Sequence, residues 1–455
     1  MSGLFESLTS ASNALNAHRL GLDVTGQNMA NINTVGYSRR VLQLAEQPPA
    51  DLLSAGRGVE VLGVRALRDE FLNARLRGEQ GSGAFNDAVV ESLATIEASV
   101  GPAGAALDQR MTEFFDAFAA LADDVTSLPA RDGVVEQGRL LSQAFGDLSA
   151  RLALTRRDAN LSIRGAVDEI NRLSQEVAAL NQQIMANGPE AEALRDQRGV
   201  ALARLSELAG ATVMQRPDGA VDVTIGQGRA LVVATNAYAI DAQPTGPSGD
   251  LVLTLGGITI TSEMASGRIG GLVHGRDVVV PAHQGRLDQL AFDIATQVNA
   301  VHTAGFDLNG AAGVNFFAVP GSVAGAAGTM AMNAAVAADS RLVAGSATGA
   351  IGDNGNARNL AVLREAGVMT GGATAAEAWA EFVYHVGSDV AGARSASTSH
   401  TQIINQLLHL RDQASGVSLD EEAAHLMRYQ RAYEASARYF TSIVETIDTV
   451  LEMVR

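Results

Sequence analysis

Residues 419–454 read LDEEAAHLMRYQRAYEASARYFTSIVETIDTVLEMV. Leu419, Leu426, Tyr433, Phe440, Ile447 and Val454 recur every seven residues, and Ala423, Gln430, Ala437, Val444 and Leu451 form a second row between them. Two turns of α-helix take close to seven residues, so this spacing keeps one stripe of side chains facing one partner. Gly416 breaks the chain just before. Ser418 is placed as an N-cap, and Glu421 three residues on would complete a capping box. The segment is expected to be an amphipathic helix that buries its seam against another helix.

The opposite end of the chain carries the matching signal. Across 4–32, Leu8, Leu15, Leu22 and Met29 are seven apart, and Leu4, Ala11, His18, Thr25 and Ile32 make a weaker second row. At 1.5 Å per residue this helix would be roughly 45 Å long. Gly21 and Gly26 lower its intrinsic stability. Pairing the two ends, within one chain or between chains, is the simplest way to cover both seams. Each seam could also be the core of an ordinary bundle. Their position at the two extremes favours helices that order on assembly, since an isolated helix pair is marginal alone.

Between the ends the pattern is mostly helical. Leu107, Met111, Phe114, Phe118, Leu121 and Val125 share one helix face, with Pro129 ending that helix. A long helix is expected over 131–185, where Ile163, Ile170, Val177 and Ile184 are again seven-spaced, and Gly188-Pro189 stops it. A shorter helix over 190–209 returns antiparallel. The period then changes to two. Residues 211–215, the Asp218-Gly219 turn and 221–225 read as a β-hairpin, and 229–234, 237–242 and 251–260 continue in that style. Helix resumes near Gly267, with Pro281 opening a new stretch along Leu287, Leu290, Ile294 and Val298. Residues 304–356 read as loops with short strands near Phe316 and Met330, followed by helices over 357–366 and 374–414.

The expected fold is mainly α: terminal coiled-coil helices plus a long-helix bundle, with a small inserted β domain. The divisions are a terminal coiled coil (1–45 and 415–455), a helical bundle (46–210, 266–303 and 346–414), a β domain (211–265) and a loop with minor β structure (304–345).

Composition narrows the function. The formal charge of −17 argues against nucleic acid and against an anionic membrane surface as partners, because both are held through Lys and Arg. There is no cysteine, which excludes disulfides, thiolate nucleophiles and Cys-ligated metals. There is also no lysine, which excludes a Walker A lysine, a Schiff base and a Ser–Lys dyad. Residues 1–10 carry Glu6 and no basic cluster, unlike a secretory signal, and no stretch reaches transmembrane length without polar residues.

Motifs that could carry chemistry have plainer readings. Glu422 and His425 have the E-x-x-H spacing of di-metal bundles but no second copy, and read as solvated helix side chains. Asp307-Leu308-Asn309-Gly310 begins like a calcium loop but lacks the closing Glu, and reads as a turn. Gly352-Asp353-Asn354-Gly355-Asn356 reads as a turn feeding an Asn N-cap. Gly56-Arg57-Gly58 and Gly226-Gln227-Gly228 have glycine spacing without a full nucleotide fingerprint.

One stretch is more specific. Gln27-Asn28-Met29-Ala30-Asn31-Ile32-Asn33-Thr34-Val35-Gly36-Tyr37-Ser38-Arg39-Arg40 resembles the N-terminal signature of the flagellar axial proteins, that is, rod, hook and hook-associated proteins. Their usual pattern is N-x-A-N-x-N-T-P-G-Y-x-R, and Val35 stands where Pro is common. Residues 419–438 look like the matching C-terminal signature. The long helices, Leu287-Asp288-Gln289-Leu290-Ala291, Val298-Asn299, His302, Gly305-Phe306-Asp307 and the 352–360 segment are similar to the hook-associated branch, whereas rod and hook proteins would have mostly β middles.

The resemblance implies a secreted structural subunit of the hook–filament junction. It would be exported without a cleaved signal peptide by the flagellar type III apparatus, with a cytoplasmic export chaperone on the C-terminal helix. Its neighbours would be hook protein, a second junction protein and copies of itself in a ring. The resemblance implies no catalytic residue, cofactor or metal. The assembly interface would comprise Leu8, Leu15, Leu22, Met29, Asn31, Asn33, Gly36, Tyr37, Leu419, Leu426, Tyr433, Phe440 and Ile447. The rival readings are another axial protein of hook or rod type, and a peptidoglycan hydrolase carried on an axial scaffold. The β insertion is short for the family.

Overall fold

A computed structural model describes residues 2–48, 58–101, 107–188, 191–246 and 248–454. Gly56 and Arg57 of the first glycine pair, and Pro189 of the helix stop, lie outside the described residues. The chain opens with α1 (Ser2–Ala30), followed by an antiparallel ribbon of β1 (Arg40–Glu46) and β2 (Val59–Ala66). Four helices follow: α2 (Glu70–Val100), α3 (Leu107–Asp123), α4 (Leu128–Asn187) and α5 (Glu192–Ala209). Two small antiparallel sheets come next. One is β3 (Thr212–Gln215), β4 (Val221–Ile225), β5 (Arg229–Val233) and β6 (Asn236–Ala237). The other is β7 (Ile240–Thr245), β8 (Asp250–Leu255) and β9 (Ile258–Thr259).

The chain then returns to helix with α6 (Gly267–His274) and α7 (Val280–Thr303), joined without a break by a π-helical turn over Gly275–Val279. Short helices α8 (Ala326–Thr329), α9 (Ala334–Ala338) and α10 (Gly355–Val362) precede the long α11 (Ala375–Ser415) and α12 (Leu419–Val454). The molecule is mainly α with a small β insertion.

Three elements differ from the sequence reading, the first being α2, for which no helix is named there. The helix after Leu107 ends at Asp123, and Pro129 sits in the first turn of α4, where its missing N–H costs nothing. Ser127 caps that turn, its Oγ accepting from the Ala130 N–H at 3.3 Å. The β1–β2 ribbon was not anticipated. Its side chains are half-buried on both faces, so the alternation that betrays a strand is weak.

Two cores lie along α4. The first takes Val134, Leu141, Phe145, Leu148 and Leu152 from its N-terminal half, packed against α2, α3, α7 and α11. At its centre Phe114, Phe118, Phe316 and Phe317 pack edge-on or tilted against one another at centroid distances of 4.9–5.6 Å. The loop-rich 304–356 segment therefore supplies the middle of this core. The second takes Ile163, Ile170, Val177 and others from the C-terminal half of α4, packed against α5, α6 and the inner faces of both sheets.

The sheets are pinned to α4 by asparagines about three helical turns apart. Asn171 donates to the Ile240 carbonyl at 2.9 Å and accepts from its N–H at 2.8 Å. Asn181 does the same with Val221, at 2.8 and 3.2 Å, and Asn160 accepts from the Leu251 N–H at 3.1 Å. Buried Arg198 completes the attachment, donating to Asn181 and to the Gly219 carbonyl at 2.8 and 2.9 Å. Burial, with Arg195 close by, lowers its pKa to about 10.

Candidate functional site: the terminal helix pair and its neck

Helix α12 packs on α1 in antiparallel fashion. Asn28 near the end of α1 meets Glu422 at the start of α12, and Gly21 meets Tyr429 one heptad further on. The β1–β2 ribbon lies on α1 as well, with Asn13 reaching Gln47 and Ser10 filling the space beside Gly58. The turn between α1 and β1 is the neck of this unit.

The neck explains the residue types in the N-terminal signature. Gly36 has φ +82°, and any side chain there would collide with Val200 of α5. Asn28 is 1% exposed and uses its whole amide. Its Oδ1 accepts from the Tyr37 hydroxyl at 2.8 Å and the Arg40 N–H at 2.9 Å. Its Nδ2 donates to the Arg40 carbonyl at 2.9 Å and to Glu422 at 3.0 Å. Burial raises the Tyr37 pKa, Arg40 opposes that, and Asp196 and Glu422 add to it, so the phenol stays a donor. Asn31 closes the turn, donating to the Gln27 carbonyl at 2.9 Å and accepting from Thr34 at 3.1 Å, while Asn33 is exposed.

Glu422 is the buried anion of the knot. It is 2% exposed, with Arg39 donating to it from Nε and Nη2 at 2.8 Å. The expectation of a solvated side chain fails for Glu422: a carboxylate this buried needs a partner, and Arg39 supplies it. His425 turns instead to Arg428, and among the described residues no group of acids and histidines could hold a metal ion. Arg39 also pairs with Glu421 at 2.9 Å, engaging the residue expected in a capping box with Ser418. A full capping box forms at Thr374 and Glu377 of α11. Arg40 and Arg68 bind Asp196, and Arg68 binds Glu192, which ties the neck to α5.

The sequence-predicted rows are placed differently by one copy's own packing. The buried positions of α1 are Ala11, Ala17, Gly21, Val24, Thr25 and Asn28. Leu8, Leu15, Leu22 and Met29 lie half-buried beside them. On α12, Ile443 is buried; Leu426, Phe440 and Ile447 are half-buried; Leu419 and Tyr433 are 49% and 38% exposed. Thus α1 meets α12 largely through its row of small and polar residues, and much of the apolar periodicity remains open. Asn28, Arg39 and Glu422 were not singled out from the sequence as a buried knot, although all three stand within the two quoted signatures.

Comparisons with known proteins agree along the whole chain. Residues 93–317 match the flagellar hook-associated protein FlgK helical domain. Residues 8–37 match the flagella basal body rod protein family and 412–453 the flagellar basal body rod FlgEFG protein C-terminal family. The chain is 24% identical to flagellar hook-associated protein 1 of Escherichia coli (strain K12), over 98% of this chain and 99% of that one. It is 26% identical to the protein of the same name from Bacillus subtilis (strain 168), over 99% and 98%. The first alignment spans 544 positions against 455 residues here, so that relative carries segments this chain lacks. The fold is similar to the flagellar hook junction protein FlgK from Burkholderia pseudomallei, with a TM-score of 0.67 and 17% identity, covering 74% of this chain and 99% of that one.

Proposed function

The chain belongs to the flagellar hook-associated protein 1 family, and from that membership we propose that it joins hook to filament mechanically, through assembly of its terminal helix pair. One observation carries the reading: α1 and α12 pack on each other while leaving Leu419, Met427, Tyr433 and Leu451 exposed and the α1 leucine row half-open. A helix pair with open seven-spaced rows gains its stability from neighbouring copies. In a ring or tube the contact between copies is heterologous, with the open surface of α1 in one copy meeting that of α12 in the next.

In this reading residues 1–45 and 415–455 form the inner tube, with Leu8, Leu15, Leu22 and Met29 meeting Leu426, Tyr433, Phe440 and Ile447 within and between copies. The neck residues Asn31, Asn33, Gly36 and Tyr37 connect the tube to the helical body (46–210, 266–303 and 346–414). The β insertion (211–265) and the 304–345 segment belong to the outer part. Hook protein, a second junction protein and further copies in a ring are the partners. The type III apparatus exports the chain without a cleaved signal peptide, and a cytoplasmic chaperone holds the C-terminal helix beforehand. The role needs no catalytic residue, cofactor or metal. A muralytic assay tests the hydrolase rival directly, since cleavage of peptidoglycan would overturn a purely mechanical role.

The decisive experiment is amide hydrogen exchange on the soluble protein and on the assembled junction. Residues 1–40 and 415–455 are expected to exchange fast in the monomer and to become protected on assembly. Strong protection of both segments in the monomer would make them an ordinary core and end the proposal.

A further inference from the structure

A seven-residue repeat on both helices leaves a problem that apolar rows cannot solve. The leucine row of α1 and the apolar row of α12 would look alike after a slip of one heptad, so those rows alone admit several registers. Something irregular has to choose among them. Gly21 is buried in the middle of α1, and a Cβ built on it would fall 2.6–2.8 Å from three atoms of the Tyr429 ring. The ring therefore enters a notch that only glycine leaves open. The other α1 positions on the same seven-spaced line are Ser7, Ala14 and Asn28, and each of them carries a Cβ. Near the ring stand His18 of α1 and His425 of α12, at centroid distances of 6.4 and 6.5 Å.

We infer that Gly21 and Tyr429 are a register key: a notch and a knob that fix the axial position of α12 on α1. The observation behind it is a helix-interior glycine whose missing side chain is replaced by an aromatic ring from the partner helix. Helix propensity alone would favour alanine at position 21, as the chain has at position 14. The key has a direct consequence for the surface of the pair. A slip of one heptad would move every exposed α12 side chain by roughly 10 Å along α1. The importance of this for assembly rests on the junction reading above; the register itself does not.

The test uses the full chain, which has no cysteine of its own. From Gly21–Tyr429, seven residues back along α1 and seven forward along α12 bring Ala14 opposite Ser436. An Ala14→Cys, Ser436→Cys variant should cross-link under mild oxidation. A Ser7→Cys, Ser436→Cys variant reports the slipped register and should not, because its Cα atoms lie well beyond the roughly 7 Å that a disulfide spans. Adding Gly21→Ala should abolish the first cross-link. Adding Gly21→Ala together with Tyr429→Ala removes both knob and notch, and both cysteine pairs should then cross-link.

If that double variant still cross-links only through Ala14→Cys, the neck sets the register and the key is refuted. If it cross-links through neither pair, Tyr429 supplies affinity rather than register, which also refutes it. Motility is read separately. A variant with the parental cross-link pattern that fails to assemble counts against the junction reading and leaves the register key standing.

Discussion

Single side chains set the strongest constraints in the neck and in the loop core. Glu422 is held by Arg39 and Asn28 in a buried cluster, and removing one member of a buried ion pair leaves the other charge stranded. Glu422→Ala is expected to weaken the docking of α12 by about 3 kcal/mol, measured in the assembled protein as faster amide exchange over 415–454 with no change in the helical body. His302 sets a pH limit on that body. It is fully buried, with Nδ1 bonded to the Val314 carbonyl and Nε2 accepting from the Ala344 N–H at 2.9 Å. Burial lowers its pKa from 6.5 to about 4; the Val314 bond opposes this and Arg131 adds to it. Between those values the unfolded chain binds the proton and the folded chain does not. His302 therefore contributes stability that is complete above pH 6.5 and is lost as pH falls towards 4, by about 3 kcal/mol in all. Denaturant midpoints recorded from about pH 7 to about pH 4 should fall accordingly, and His302→Gln should flatten the decline. Neither role was legible in the sequence. Glu422 and Arg39 are 383 positions apart, and no local pattern links a polar residue in a helical seam to a partner that distant.

At the scale of elements, periodicity disclosed most of what was there, because a helix or strand with one buried face must repeat its apolar residues at its own pitch. The expected helix over 131–185 proves to be α4, and the change to period two marks the strands between Thr212 and Thr259. What escaped were α2, for which no helix was named although it buries Leu76, Leu93 and Ile96, and elements without a one-sided environment. The β1–β2 ribbon is half-exposed on both faces, and the loops around Phe316 have no pitch although they fill a core. The attachments between elements escaped as well. Asn160, Asn171 and Asn181 look like ordinary polar residues on a helix, yet each serves as a backbone partner for a strand. Asn181→Leu keeps the size and removes every hydrogen bond, leaving Arg198 and the Val221 N–H short of an acceptor. A loss of about 3 kcal/mol is expected, seen as faster exchange across 212–260 while the aromatic core around Phe114 stays protected.

For the whole molecule, the contrast is between a body with two filled cores and a terminal pair whose outer rows are open. Leu15→Glu and Leu22→Glu alter half-buried positions, so each should leave the melting of the isolated protein within about 1 kcal/mol of the parent. Placed between copies, the same charge would be trapped in an apolar seam. Both variants are expected to be soluble and folded yet unable to form junctions, as judged by sedimentation and by electron microscopy of hook ends. Normal junctions from both would move the contact surface elsewhere on the pair.

The sixty residues of α4 make a rod roughly 90 Å long. One half is embedded in the aromatic core and the other carries the sheets on its asparagines. It is therefore a beam shared by two anchorages, and it runs between them as one continuous helix. A tilt of a few degrees imposed at one end displaces the other by several ångströms. Torque delivered to the body at the aromatic end would reach the β end as rigid leverage, so the two ends are expected to respond to load together.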